Sequence, residues 1–319
     1  MSSRPDPQSV DQLAALCKAA GDPLRLHILR VLSNNSFGVL ELAHIFDMGQ
    51  SGISHHLKVL TQAGLASTRR EGNAIFYRRS LASESSLLAA LLNEVNQLVL
   101  PATLSERIAR VHQDRASASQ EFFQRMASSF SQQQELIAGL HQYSDSLTSL
   151  LDSLEFPTDA LAIEIGPGDG SFLPQLAQRF AQVVALDNSP AMLEQARLLC
   201  VQQQLANVEL QLADAFAGKL PTADCLVLNM VLHHLPDPAS AIEHLAQALK
   251  PGGSLLISEL CAHDQHWAHE TCGDLWLGFE QQELAQWAQQ AGLACGESIY
   301  SGLKNGFQIQ LRHFYKAAS

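Results

Sequence analysis

Residues 162–172 read AIEIGPGDGSF, an apolar run interrupted by one acid, Glu164, that passes directly into glycines at 166, 168 and 170. The residues up to Phe180 return to helical spacing, and AQVVALD (181–187) is a second apolar run ending in an acid. Strand, glycine turn, helix and strand make a parallel β-α-β unit, in which a bare backbone at the turn lets a ligand approach closely. A dinucleotide pyrophosphate is one ligand class for such a turn. The spacing argues against it: the third glycine follows the second by two residues rather than three, and Pro174 falls early in the helix that would receive the phosphates.

Downstream, the pattern repeats with acids at strand ends. Asp187 closes the second run, where a carboxylate can accept from both hydroxyls of a ribose; VELQLADAF (208–216) is a third run with Asp214 at its tip. ADCLVLNMVLHHL (223–235) is a fourth and LKPGGSLLISEL (249–260) a glycine turn feeding a fifth, while 278–293 is an amphipathic helix and 294–317 a closing antiparallel pair. In this order the motifs resemble the class I S-adenosylmethionine-dependent methyltransferases, over roughly residues 120–316. The resemblance implies that Glu164 and Gly166 meet the methionine part of the cofactor, Gly168 and Gly170 give close backbone approach, and Asp187, with Asn188 and Met192, faces the ribose. It further implies that Asp214 and Ala215 face the adenine and that Asn229 lines the pocket. The cofactor is then S-adenosylmethionine or S-adenosylhomocysteine.

Candidates for chemistry on a methyl acceptor are His233 and His234, with Asn229, Glu259, His263, Asp264 and His266 nearby in sequence. Methyl transfer mainly needs in-line positioning, with a base if the nucleophile must lose a proton. The two histidines fit either a catalytic base or a pocket wall. CAHDQHWAHETCGDLWLGF (261–279) holds Cys261, His263, His266, His269 and Cys272, so histidines at intervals of three could share a helical face and bind a metal. A polar lid over the cofactor is the competing account, and the site expectation contains no metal. The cysteines are not spaced as arsenic methylation would require.

The first eighty residues differ in character. They hold nine Lys and Arg against six acids, whereas the rest of this 319-residue chain holds 11 against 26 within a net charge of -12. Only the first part suits a polyanion. GDPLRLHILRVL (21–32) predicts a helix with Asp22 as N-cap and Pro23 at its first position; 39–48 predicts a second helix, and a third runs from Gln50 to Gly64. In the third, Ile53, Leu57 and Leu60 share a stripe, leaving Gln50, Ser51, Ser54, His55, His56 and Lys58 as candidates to meet base edges. LASTRREGNAIFYRRS (65–80) predicts a hairpin turning at 71–73, whose Arg69, Arg70, Arg78 and Arg79 would meet phosphates.

AGDPLRLHILRVL and QSGISHHLKVLTQAGL resemble the ArsR/SmtB winged-helix repressors. This implies a homodimer on palindromic double-stranded operator DNA. Metal-sensing members carry a Cys-x-Cys pair where this chain has Glu41-Leu42-Ala43-His44-Ile45, so the input should not be arsenic-type metal.

An apolar stripe over 84–100 fits either a dimer helix or core packing, and 117–154 reads as two helices capping the next domain. The six cysteines form no CxxC pair, and the chain shows neither a signal peptide nor a membrane span, so a cytoplasmic protein away from membranes is expected. The predicted fold is multidomain: a winged helix-turn-helix over 1–82, a helical connector over 83–118, and an α/β Rossmann-like methyltransferase domain over 119–319. The function expected is a DNA-binding transcriptional regulator with S-adenosylmethionine or S-adenosylhomocysteine as effector, by likeness to regulators of the methionine cycle. The alternatives are a small-molecule methyltransferase with an autoregulatory winged helix and, third, a metal sensor using the Cys/His stretch. The acceptor stays open.

Overall fold

The computed structural model describes residues 10–33, 35–71, 74–80, 87–126 and 130–318. The chain divides into two compact units, 1–113 and 114–319, described in turn.

The first unit contains α1 (Val10–Ala20), α2 (Pro23–Val31), β1 (Phe37–Gly38), α3 (Val39–Phe46), α4 (Gln50–Gln62), β2 (Ala66–Glu71), β3 (Ala74–Arg79), α5 (Leu87–Asn96) and the first half of α6 (Ala102–Met126). Asp22 caps α2 as the sequence predicts, its Oδ1 accepting from the Arg25 amide at 3.0 Å. The turn between α3 and α4 opens at Asp47, which sits in the left-handed region (φ 54°). Ile53, Leu57 and Leu60 of α4 are fully buried with Ile28, Leu42 and Ile45, each worth roughly 1.5–3 kcal/mol over an exposed position. β2 and β3 form an antiparallel hairpin with β1 on its far edge; of the turn expected at 71–73, Glu71 ends β2 and residues 72–73 lie outside the described residues. The stripe expected over 84–100 is helical at Leu87–Asn96, where Leu92 and Val95 join this unit's own core.

The second unit continues from α6 through α7 (Phe130–Ile137), a 3-10 turn (Leu140–Gln142) and α8 (Ser144–Asp152). The two helices expected over 117–154 are therefore the end of α6 followed by α7 and α8, with the break after α7 falling at Gly139. Then come β4 (Leu161–Ile165), α9 (Leu173–Ala177), β5 (Gln182–Asp187), α10 (Pro190–Gln202), β6 (Val208–Leu212), β7 (Ala223–Asn229) and a 3-10 turn (Leu232–His234). After it follow α11 (Pro238–Ala248), β8 (Leu249–Leu260), α12 (Trp267–Cys272), α13 (Gln281–Gln290), β9 (Leu293–Gly302) and β10 (Gln308–Lys316). The seven-stranded sheet has the order β6-β5-β4-β7-β8-β10-β9, parallel except for β10, which runs antiparallel to both neighbours. Strand order reverses between β4 and β7. In open α/β sheets a ligand crevice forms at that switch point, outside the carboxyl ends of the strands. Among the described residues, no helix is long and apolar enough to cross a membrane.

Candidate functional site

Glu164, near the end of β4, lies at the switch point and is 1 % exposed. Its Oε1 accepts from Asn229 Nδ2 at 3.1 Å, and Asn229 Oδ1 accepts from Ser258 Oγ at 2.7 Å, which ties the ends of β4, β7 and β8 together. Its second oxygen is buried with no hydrogen-bond partner among the described residues. Burial pushes the carboxyl up to about 7, against the Asn229 hydrogen bond, with Asp169 adding to the rise. Gly166 has φ +63°, and a Cβ there would stand 2.9 Å from Val231 Cγ2; Gly170 has φ +83°, with Ala196 3.0 Å from its would-be Cβ. Side chains at either position would close the turn.

Asp187, at the end of β5, accepts from the Ser189 amide at 2.8 Å and faces the Gly168 and Asn188 amides. Burial still outweighs those amides and raises it to about 6. Asn188 is exposed, while Met192 is buried and its amide donates to the capping Ser189 Oγ. Asp214, past the end of β6, is exposed and accepts from the Phe216 amide at 2.9 Å, with Ala215 buried beside it. The structure therefore sets the expected residues along the carboxyl edge of β4, β5, β6 and β7.

The His233–His234 pair lies in the 3-10 turn after β7. His233 is buried, its Nδ1 2.6 Å from Glu259 Oε1 and its backbone N–H donating to Glu259 Oε2 at 3.2 Å. On its far side Nε2 is 3.8 Å from Asp274 Oδ1. Burial opposes a charged imidazole here, but the two carboxylates outweigh it and lift the ring to about 9. His234 is driven the other way, well below its usual range, by burial and then by the charge on His233, 4.0 Å away between ring centroids. In the neutral ring Nδ1–H donates to the Gly273 carbonyl at 3.3 Å, which leaves Nε2 its lone pair. Phe123 meets this ring edge-on at 4.7 Å. His233, His234 and Asp274, with Gln134, Ile137, Met230 and Cys272, line a small pocket of about 30 Å³.

Asp274 was not foreseen; an isolated acid amid Leu275, Trp276, Leu277 and Phe279 is the signal that marks it. Tyr143 was also missed. It is buried, and burial together with Glu164 and Glu259 raises its hydroxyl well above the ordinary value. The shared helical face expected for the three histidines of 261–272 does not form. His263 precedes α12 and packs edge-on against Phe307, whereas His269 Nδ1 bonds the Asp274 carbonyl.

In the first unit Ser51, His55 and Lys58 are exposed along α4, Gln50 is exposed at its start, and Ser54 and His56 are half-buried. On the wing Arg70 is exposed, Arg69 is half-buried, and Arg78 reaches Ser67 Oγ at 3.3 Å. Arg79 corrects the sequence expectation: it is 8 % exposed and donates to Asn96 Oδ1 of α5 at 2.6 Å. Burial, helped by Arg30, lowers even this guanidinium to about 10. It fastens the wing to α5 and is not presented to a phosphate.

Comparison with known proteins agrees with this arrangement. A family described as "Methyltransferase domain" matches residues 133–298, and one described as "Bacterial regulatory protein, arsR family" matches residues 22–68. The chain belongs to the methyltransferase-domain family and carries an ArsR-family helix-turn-helix at its N-terminal end. It is 30 % identical over 175 residues to the ubiquinone biosynthesis O-methyltransferase of Stutzerimonas stutzeri, covering 50 % of this chain and 75 % of that protein. With the enzyme of the same name from Saccharophagus degradans it shares 28 % over 191 residues, 55 % of this chain and 80 % of that protein. Among solved structures, the magnesium protoporphyrin IX methyltransferase of Synechocystis PCC 6803 with bound SAH superposes with TM-score 0.52 at 18 % identity, covering 64 % of this chain and all (100 %) of that one. The fold is thereby that of methyltransferases.

Proposed function

We propose that the chain is a DNA-binding transcriptional regulator whose methyltransferase domain binds S-adenosylmethionine or S-adenosylhomocysteine as effector. One observation carries this reading: an exposed polar face on the second helix of a helix-turn-helix and a cleft with a buried, half-partnered carboxylate occur in the same chain. The free oxygen of Glu164 suits the amino group of a methionine moiety, Asp187 suits ribose hydroxyls, and Asp214 with Ala215 suits an adenine. Gly166, Gly168 and Gly170 keep the backbone open beneath it, with Asn188, Met192 and Asn229 at its edges. Gln50, Ser51, Ser54, His55, His56 and Lys58 face the operator, helped by Arg69, Arg70 and Arg78.

The 25-residue helix α6 offers a route for coupling. In the first unit its Arg107 donates to the Ile45 carbonyl at 3.2 Å and to Asp47 Oδ2 at 3.0 Å, holding the turn that precedes α4. In the second unit its Arg115 donates to the Pro236 carbonyl at 3.2 Å and lies over Trp276, next to the His233–His234 turn.

The test is operator affinity, measured at fixed salt on a fragment selected from genomic DNA, with no nucleoside, with S-adenosylmethionine and with S-adenosylhomocysteine. An effector of ordinary coupling changes affinity about 5- to 150-fold, and saturating operator changes nucleoside affinity by the same factor. Equal affinity in all three states removes the regulator reading. The second reading, an enzyme, is favoured by the likeness to ubiquinone biosynthesis O-methyltransferases. In it the bound cofactor supplies an activated methyl group, His234 Nε2 takes the acceptor's proton, and His233 with Glu259 fixes the turn. Acceptor-dependent production of S-adenosylhomocysteine supports it.

A further inference from the structure

The cavity beside the nucleoside cleft has a donor set that neither the regulator nor the enzyme reading uses in full. His233, His234 and Asp274 each offer one ligand atom, and those atoms all lie within 4.8 Å of one another. Asp274 Oδ1 is 3.8 Å from His233 Nε2 and 3.9 Å from His234 Nδ1, so a metal would take the Nδ1 lone pair in the tautomer whose proton sits on Nε2, in place of the bond to the Gly273 carbonyl. A four-coordinate metal with bonds of about 2.0–2.1 Å needs donors roughly 3.3 Å apart. Each histidine nitrogen therefore has to draw about half an ångström closer to Asp274 Oδ1, a shift that small χ rotations supply. Behind them, Glu259 holds His233 Nδ1 at 2.6 Å, the carboxylate–histidine arrangement that fixes ring orientation at metal sites.

We propose that His233, His234 and Asp274 form an open, three-ligand site for a divalent transition metal of the zinc class, with its fourth position facing the cavity lined by Met230 and Cys272. Two imidazoles and one carboxylate suit zinc, cobalt(II) or iron(II). They do not suit magnesium, which takes oxygen ligands in a near-octahedral shell. The backbone explains why the residues meet: Gly273, in the left-handed region at φ +75°, turns the chain after α12 so that Asp274 enters the cavity. A metal there would coordinate an acceptor oxygen or a water molecule at the fourth position. The site differs from the cysteine-based sensor position of ArsR-type proteins, which in this chain holds Ala43 and Ile45.

The full chain, stripped with a chelator that is then removed, is titrated with Co²⁺ alone as a visible probe and with Zn²⁺ against a chromogenic chelator. One equivalent per chain is expected, with the intense visible absorption of four-coordinate cobalt, displaced by Zn²⁺ and not by excess Mg²⁺. His234→Gln and Asp274→Asn should each weaken Co²⁺ binding by at least about 100-fold. Glu259→Gln should weaken it roughly 10- to 100-fold, and the exposed-site controls His44→Gln and His141→Gln should leave it unchanged. X-ray absorption of the zinc-loaded wild type reads the ligands without any substitution and should show two imidazoles. Binding that survives both His234→Gln and Asp274→Asn, binding lost in the surface controls, or a zinc shell without imidazole overturns the proposal.

Discussion

The chain contains two His-His pairs, and their fates differ. His55 and His56 sit on α4 with rings 5.9 Å apart, His55 exposed and His56 half-buried. His233 and His234 lie with ring centroids 4.0 Å apart and planes tilted by 54° in a buried turn, and their pKa values are driven in opposite directions, one up to about 9 and the other well below its usual range. The dipeptide is the same in both places. What differs is the surroundings: a helix face turned to solvent lets each ring act alone, whereas burial with Glu259 and Asp274 turns two rings into one coupled unit. Local pattern thus reports which residues are presented, and long-range packing decides what they can do once buried.

The largest expected effect lies on the buried side of that comparison. Asp187→Ala removes a half-buried strand-end carboxylate placed to accept two hydroxyls; two charge-assisted hydrogen bonds amount to about 3–6 kcal/mol, or roughly 10²- to 10⁴-fold in affinity. Calorimetry with S-adenosylhomocysteine should show that loss with an unchanged far-ultraviolet circular dichroism spectrum. Unchanged affinity would mean that burial at this edge serves packing alone.

A second effect follows from the same carboxylates. Asp187 at about 6 and Glu164 at about 7 both lie above their unfolded values of 3.8 and 4.5. Nucleoside binding needs the ionised forms, so affinity should fall as pH drops from about 8 to about 5, approaching tenfold per unit per group below its own pKa. The stability of the ligand-free chain runs the other way. Raised pKa values mean that the folded protein holds protons the unfolded chain has released. The stabilisation is thus full below the unfolded values and is lost as pH rises through about 6 and 7. Melting and titration curves with the same sign of pH dependence would contradict this.

Much of this was legible in sequence for a physical reason: glycines and strand-end acids are fixed by local backbone demands. Gly166 and Gly170 need positive φ, and Asp187 and Asp214 follow directly from where their strands stop. Ile53, Leu57 and Leu60 declare the buried face of α4 by spacing alone. The rest depended on partners far along the chain. His233 owes its raised pKa to Glu259, 26 residues on, and to Asp274 from beyond α12. Helical spacing over 261–272 suggested a single face, but only Trp267–Cys272 is helical, so the histidines diverge. Arg79 was misread because its partner Asn96 belongs to another element, and no count of basic residues distinguishes an arginine that is fastened from one that is free.

Two wing arginines turn that last distinction into a smaller and sharper test. Arg79→Ala empties a buried position and leaves half-buried Asn96 without its donor, so it should lower the melting stability by about 1–3 kcal/mol and affect DNA mainly through the fold. Arg70 is exposed on β2 and should leave stability within about 0.5 kcal/mol when replaced by alanine. Its effect should appear in DNA binding alone: a phosphate contact contributes through counterion release, equally for every sequence, so Arg70→Ala should weaken specific and non-specific duplexes alike. The slope of log affinity against log salt should become shallower by about 0.9. A slope change in Arg79→Ala at preserved stability, with none in Arg70→Ala, would reverse the assignment. The phosphate contact would then lie on the edge of the wing next to α5 rather than toward its tip.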